Sequence, residues 1–204
     1  MSFPTTFGKS PPGIKTQAST YQLKFTGVHC GKSVSFLAFL TSFGQNFTST
    51  WNTEVVYGRA DPIATFQGNQ RNIDIAWEVP AGTSGEAKEN LNRFDGLFQI
   101  IYPSYQEGTF AEGHSQNALS ISKPPLIRIK YANLLQYNAS KGQLGYITNI
   151  SWQQKIEMGT FQEGNKIYPK VVSMNVSFVA LHEKDLGWSS DKFLGGAKFP
   201  FGGG

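Results

Sequence analysis

The chain predicts a mainly β (α+β) fold, an antiparallel β-barrel or sandwich with one flanking α-helix packed on it. Three observations carry this expectation. Between Arg71 and Val79 the apolar residues Ile73, Ile75, Trp77 and Val79 alternate with Asn72, Asp74, Ala76 and Glu78, the period of a half-buried strand. After Pro80 the period changes, and Ala87, Leu91, Phe94, Leu97, Phe98 and Ile101 recur at helical spacing as one stripe. Everywhere else, short runs of β-branched and aromatic residues are cut by Gly, Pro and Asn at close intervals.

Taken in order, residues 1–20 hold Pro4, Gly8, Pro11, Pro12 and Gly13 without periodicity and read as an extended N-terminal arm. Tyr21, Leu23 and Phe25 alternate, a turn spans Gly27 to Gly31, and Val34 to Phe43 is apolar on both faces, as in a strand buried on both. Trp51–Tyr57 and Ile63–Phe66 are strands on either side of Gly58-Arg59-Ala60-Asp61-Pro62. Gln67-Gly68-Asn69 reads as a further turn before the Arg71 strand. Thr83 and Glu86 have capping-box spacing and Pro103 stops the chain, which puts a helix over about 84–102. Pro103 to Asn117 is a long polar loop, and Ala118–Ser122 and Leu126–Ala132 follow as strands. In Gln143–Gln153, Leu144, Tyr146, Thr148, Ile150 and Trp152 are assigned to one face. Val172, Met174, Val176 and Phe178 face inward from the last long strand, opposite Ser173, Asn175 and Ser177. Residues 21–188 thus form one domain, and 189–204 read as a Gly-rich tail.

Composition narrows the function. At 204 residues one domain is the default, and charged residues make up 16% where about 25% is usual. A charge-poor, Phe-rich chain is either covered by other protein or an apolar-leaning β domain. The net charge of +4 splits evenly between residues 1–80 and the remainder and forms no block, so it offers no stripe to track phosphates. Cys30 is alone, which excludes an internal disulfide. No apolar signal core opens the chain, and Val34–Phe43 is far too short to cross a bilayer, so the expectation is a soluble, cytoplasmically made protein with no membrane partner.

Catalytic signatures are thin. Thr26-Gly-Val-His-Cys-Gly31-Lys32-Ser33 imitates a phosphate loop, but Thr26 stands where the first glycine belongs and a strand follows where a helix is needed. His29, His114 and His182 are too scattered for a metal site. Glu54, Asp61, Asp74 and Glu78 lie on separate strands and turns. The reading is therefore no enzyme, no catalytic residue, no metal and no cofactor. Trp51, Trp77, Trp152 and Trp188 keep a second class open, a carbohydrate-binding β module.

Val55-Val-Tyr-Gly-Arg-Ala-Asp-Pro-Ile63, Thr65–Arg71, the Ile73-Ile75-Trp77 strand and the Leu91–Tyr102 helix continue into Lys123-Pro-Pro-Leu-Ile-Arg-Ile129, Gly145–Ser151, Tyr168–Phe178 and Leu186-Gly-Trp188. In this order they resemble the tube-type baseplate proteins of contractile-tailed phages, including tail tube initiators, and the tube proteins of contractile injection systems. The resemblance covers most of Phe47–Trp188 and implies an antiparallel split β-barrel or sandwich of the tail-tube type with one flanking α-helix, serving as a structural virion subunit. It would form a homo-oligomeric sixfold ring that meets baseplate hub, wedge and tail tube proteins and templates the tube around a channel for DNA, which passes without specific binding. A hub-to-wedge connector is the alternative within this class. Arg59, Asp61, Arg71 and Trp188 are the candidate subunit-interface residues, the first three as charges beside tight turns.

Overall fold

In the computed structural model, which describes residues 22–37, 39–106, 120–138, 140–195 and 199–200, β structure dominates. Seven strands build one antiparallel sheet: β1 Gln22–Gly27, β2 Ser33–Leu37, β3 Phe39–Glu54, β4 Ile63–Pro80, and, further on, β7 Ile127–Tyr131, β8 Gln143–Gln154 and β11 Val171–Ala180. Their spatial order is β2-β1-β7-β8-β11-β4-β3. Three two-stranded pairs decorate it: β5 Ser104–Gln106 with β6 Ser120–Lys123, β9 Thr160–Glu163 with β10 Lys166–Pro169, and β12 Trp188–Ser189 with β13 Lys192–Phe193.

The alternation in β4 does what the sequence requires of it. Ile73, Ile75, Trp77 and Val79 are buried, and their partners across the ladder, Val172, Met174, Val176 and Phe178 of β11, are buried too. Phe25 and Phe36 pack on Trp77 at ring separations of 5.6 and 5.8 Å, which places three strands around one aromatic centre. Each such fully buried side chain contributes about 1.5–3 kcal/mol.

One helix, α1 Ser84–Ile101, closes this core. The Thr83 hydroxyl accepts from the Glu86 amide at 3.2 Å, which satisfies one orphan donor of the first turn, and the Glu86 carboxylate accepts from the amide of Gly82, just before the cap, at 2.8 Å. Phe94, Leu97 and Ile100 are buried, and Phe94 stacks on Phe36 at 5.1 Å. The buried stripe is rotated from the expected one: Leu91, Phe98 and Ile101 are only partly covered, while Asn90 and Arg93 are buried. Arg93 bonds Glu89 at 2.8 Å one turn away, which lets a cation sit on the covered face.

The expected barrel or sandwich is an open sheet. Its outermost strands, β2 and β3, are not paired with each other, yet only Ala38 separates them in sequence. Leu37 and Phe39 are therefore within about 7 Å, so the sheet curls until its two borders meet at one corner. Hydrogen bonds do not complete the circle. Other expectations also need correction. Gln67-Gly68-Asn69 is no turn: β4 runs through it, with Thr50 opposite Gly68 and Trp51 opposite Phe66, so the extra residue is a bulge. In β8 a further bulge opposite Ser177 and Phe178 reverses the parity, so Gln143, Gly145 and Ile147 face inward before it and Ile150 and Trp152 after it. Leu144 and Tyr146 face outward. The run Val34–Phe43 is not buried on both faces, because Phe39 is exposed.

The C-terminal part reaches further than a tail. Trp188–Phe193 forms a hairpin, and Phe199 and Pro200 pack at the base of β3 and β4. The N-terminal arm lies outside the described residues, as does most of the 103–117 loop.

Candidate functional site

The long hairpin β3–β4 is the feature that stands apart from the body. From Phe47 and Arg71 downward, β4 is flanked by β11 as well as β3, but over Thr48–Glu54 and Ile63–Gln70 the two strands have, among the described residues, only each other. Seven residues of β3 at about 3.3 Å each make an overhang of roughly 23 Å. Alternation carries the inward face of the body out along it. Phe47 opposite Arg71, Ser49 opposite Asn69, and Trp51 opposite Phe66 lie on that face, while Thr48, Gln70, Thr50 and Asn52 lie on the other. The ribbon is thus amphipathic although it has no core beneath it. Trp51 and Phe66 touch edge to face at 5.2 Å and stay 55% and 50% exposed. Beyond them the tip 55–62 carries Val55 and Tyr57 in the open.

A cluster at the ribbon's base sets its root. The Arg71 guanidinium donates to the Gln45 side-chain oxygen at 3.1 and 2.7 Å and to the Pro200 carbonyl at 3.1 Å. It lies between the rings of Phe47 and Phe199, 5.7 and 5.6 Å from their centroids. Burial without a carboxylate partner pulls its pKa down to about 10. His182 rests on Phe199 at 5.8 Å, and its pKa is held below the ordinary value by burial and then by the Arg71 charge. Phe199 also meets Phe193 at 5.7 Å, which in turn supports Trp188 at 5.5 Å.

Besides the short outer border of β2 and the overhanging side of β4, two long strand borders are free among the described residues. β3 has β4 on one side and, among the described residues, nothing on the other. β8 pairs with β7 only through Gln143–Gly145, so among the described residues its outer border from Tyr146 to Gln154 is also unpaired. Neither border is protected in the usual way: Tyr146–Gln154 contains no charge and no proline, and β3 contains only Glu54. Between them lie the four strands β8-β11-β4-β3, whose outward face carries Asn46, Asn72, Asn149, Ser151, Ser173 and Asn175, with Phe39 and Tyr146 as its exposed aromatic residues. Among the described residues the acidic charges on this face are Asp74, which accepts from the Ser177 hydroxyl at 2.6 Å, Glu78, which pairs with Lys155, and Glu54 at the far end of β3.

The candidate interface residues are distributed unevenly over this arrangement. Arg59 and Asp61 sit in the exposed ribbon tip beside a tight turn. Arg71 is 2% exposed and bonds within its own chain, so it is no surface turn charge; it shares the inward row of Ile73 and Ile75 because β4 continues through residues 67–69. Trp188 is exposed on the C-terminal hairpin. Trp77 is in the core, and Trp51, Trp152 and Trp188 each meet a different phenylalanine at three separate places, so they do not form one flat platform. Sequence reasoning missed the ribbon's amphipathic character and the β8 border. Trp51 and Phe66 were visible as strand residues, but their shared face depends on the Gln67 bulge, which the partner strand sets.

No family model matches the chain, and no curated protein matches it. Among solved structures, it is similar to the phage SPP1 Dit (gp 19.1) protein, described as a paradigm of the hub adsorption apparatus in phages infecting Gram-positive hosts, with a TM-score of 0.41 and 7% identity over 81% of this chain and 52% of that one. The chain thus spans about half the length of that protein. It is also similar to a chain in the tail of an empty GTA particle refined with C6 symmetry, with a TM-score of 0.30 and 11% identity over 84% of this chain and 97% of that one. Neither likeness is close enough to carry an argument for this chain.

Proposed function

We propose that the chain is a structural subunit of a phage tail, assembled as a sixfold ring in the baseplate or at the start of the tail tube, where it templates the tube around the DNA channel. The supporting observation is the pair of long, unprotected strand borders on either side of β8-β11-β4-β3. A monomer with such borders is a template for further pairing, and a head-to-tail ring joins the β3 border of one copy to the β8 border of the next with no end left over. The outward face of the four strands then becomes the wall of the bore. With hydroxyls and amides in place of lysines and arginines, such a wall has little with which to hold phosphates, so DNA passes without being retained. In this reading the chain performs no catalysis and binds no cofactor; its partners are its own copies and the hub, wedge and tube proteins above and below.

The test is native mass spectrometry with negative-stain electron microscopy on the purified chain, alone and mixed with hub or tube proteins. Closed rings of six copies are expected in at least the mixed sample. Single copies under both conditions would overturn the reading.

A further inference from the structure

Cations that are scattered along the chain meet on the outward face of β2-β1-β7. Lys24 of β1 stands directly opposite Lys130 of β7, and two residues along the ladder Thr26 stands opposite Arg128. All four point outward, because Leu23, Phe25, Ile127 and Ile129 between them are buried in the core. β2 adds Ser33 and Ser35 to the same face. At its Arg128 end, the guanidinium donates to the Glu183 carboxylate at 2.8 and 2.6 Å and to the Gly142 carbonyl at 3.2 Å. Glu183 is held below its ordinary pKa first by the Arg128 hydrogen bonds and then by the charges of Arg128 and Lys141, so Lys141 belongs to the same group. With Glu183 set against Arg128, the lysines 24, 130 and 141 leave this patch three positive charges in excess, out of a formal net charge of +4 for the whole chain.

We infer that this face binds an acidic protein surface, one rich in Asp and Glu side chains. Two lysines directly opposite on one ladder destabilise an isolated sheet, and an anionic partner relieves that repulsion. Three features select a protein over a nucleic acid. The Lys24 and Arg128 rows are only about 7 Å apart, and the cations lie across strands rather than along a track, whereas a duplex offers a charge every 1.7 Å or so over its length. Glu183 lies within the patch, and a carboxylate repels a continuous line of phosphates but is readily matched in an interface of mixed side chains. The outward positions of the three strands hold hydroxyls and no aromatic ring, so bases have nothing to stack on. β7 meets β8 only through Gln143–Gly145 and the sheet curls until its borders meet, so this face turns away from the neutral wall of β8-β11-β4-β3. It serves a partner of its own, and the inference stands whether or not the chain closes a ring.

The experiment titrates the full chain into a fluorescent polyglutamate peptide and into a DNA duplex carrying the same number of charges, at low and moderate salt, with anisotropy as the readout. The face variant is Lys24→Gln with Lys130→Gln; the control, Arg59→Gln with Lys166→Gln, removes two exposed charges elsewhere. Thermal unfolding checks that each folds, and the face variant is expected to melt no earlier than wild type because a like-charge pair is gone. If it does melt earlier, Lys24→Gln with Lys141→Gln, both exposed, takes its place. Wild type is expected to bind the peptide more tightly than the duplex, with a loss of about tenfold in the face variant and less than about twofold in the control. No binding of the peptide, or equal loss in both variants, would overturn the inference, since net charge alone would then be at work. Tighter binding of the duplex would make phosphates the ligand and overturn it too. Self-association of wild type that disappears in the face variant, read by sedimentation, would make a second copy the occupant and reject an acidic partner.

Discussion

At the scale of single residues, Arg71 is the most constrained group in the chain. Its cation is buried between two aromatic rings with neutral acceptors only, so removing an acceptor leaves an undercompensated charge, while removing the charge leaves two neutral oxygens. The expected order follows: Gln45→Leu destabilises by about 2–3 kcal/mol, and Arg71→Met, which keeps the volume and discards the buried charge, by less than about 1.5 kcal/mol. Chemical denaturation measures both, and a larger loss for Arg71→Met would show that the ring contacts and not the desolvated charge dominate. Two nearby groups give separate pH windows. His182 has its folded pKa below the ordinary 6.5, so it favours the folded state fully above that value and the contribution is lost as pH falls below it towards the folded pKa. Glu183 is held below the ordinary 4.5 by the Arg128 hydrogen bonds at 2.6 and 2.8 Å, so its contribution survives until pH falls under 4.5. His182→Gln is therefore expected to flatten the stability profile just below pH 6.5 and to leave the limb below pH 4.5 intact, as urea midpoints across pH would show. None of this was legible in the sequence, where Arg71 follows Gly68 and Asn69 and looks like a turn charge.

At the scale of elements, the strands and helix were legible wherever one face is buried along the whole run. β4 from Arg71 onward and β11 obey this, because period and burial coincide there, whereas α1 was legible in extent but buries a stripe rotated onto Asn90 and Arg93. The errors fall at bulges, where the partner strand decides which residue is skipped and a local pattern cannot show it. β8 is the clearest case. Gly145 lies where a side chain would put its Cβ 2.0 Å from the Val179 carbonyl oxygen and 2.4 Å from the Phe178 ring. The glycine thus permits the close approach that the shifted register demands, and Gly145→Ala is expected to cost about 1–3 kcal/mol by forcing β8 away from β11. Thr83→Ala, by contrast, removes a single cap acceptor and is expected to cost about 1 kcal/mol. Hydrogen exchange separates the two: the first should raise exchange in β8 and β11, the second only in the first turn of α1. Equal loosening across the sheet in both variants would contradict this division. The β9–β10 hairpin, with Lys88 of α1 bonded to Glu163 at 2.7 Å, left no periodic trace because its strands are four residues each.

At the scale of the whole molecule, the body and the ribbon have different obligations. The buried cluster runs through β1, β2, β4, β7, β11 and α1, and its members in β4 end at Ile73, before the overhang begins. The ribbon's aromatic residues therefore contribute almost nothing to the stability of their own copy, and the apolar face they expose promotes association. Replacing residues 49–69 by an Asn-Gly turn keeps the Thr48–Gln70 pair, and with it Phe47 and Arg71, and substitutes a connection that two antiparallel strands accept. The shortened chain is expected to unfold within about 1 kcal/mol of the full one, with its α1 and β11 signals unchanged, and to stay dispersed at higher concentrations. Guanidinium unfolding and light scattering read these two quantities independently. A shortened chain that unfolds several kcal/mol earlier would mean that the ribbon braces the body. Unchanged association would mean that the exposed Trp51 and Phe66 face is not what draws copies together.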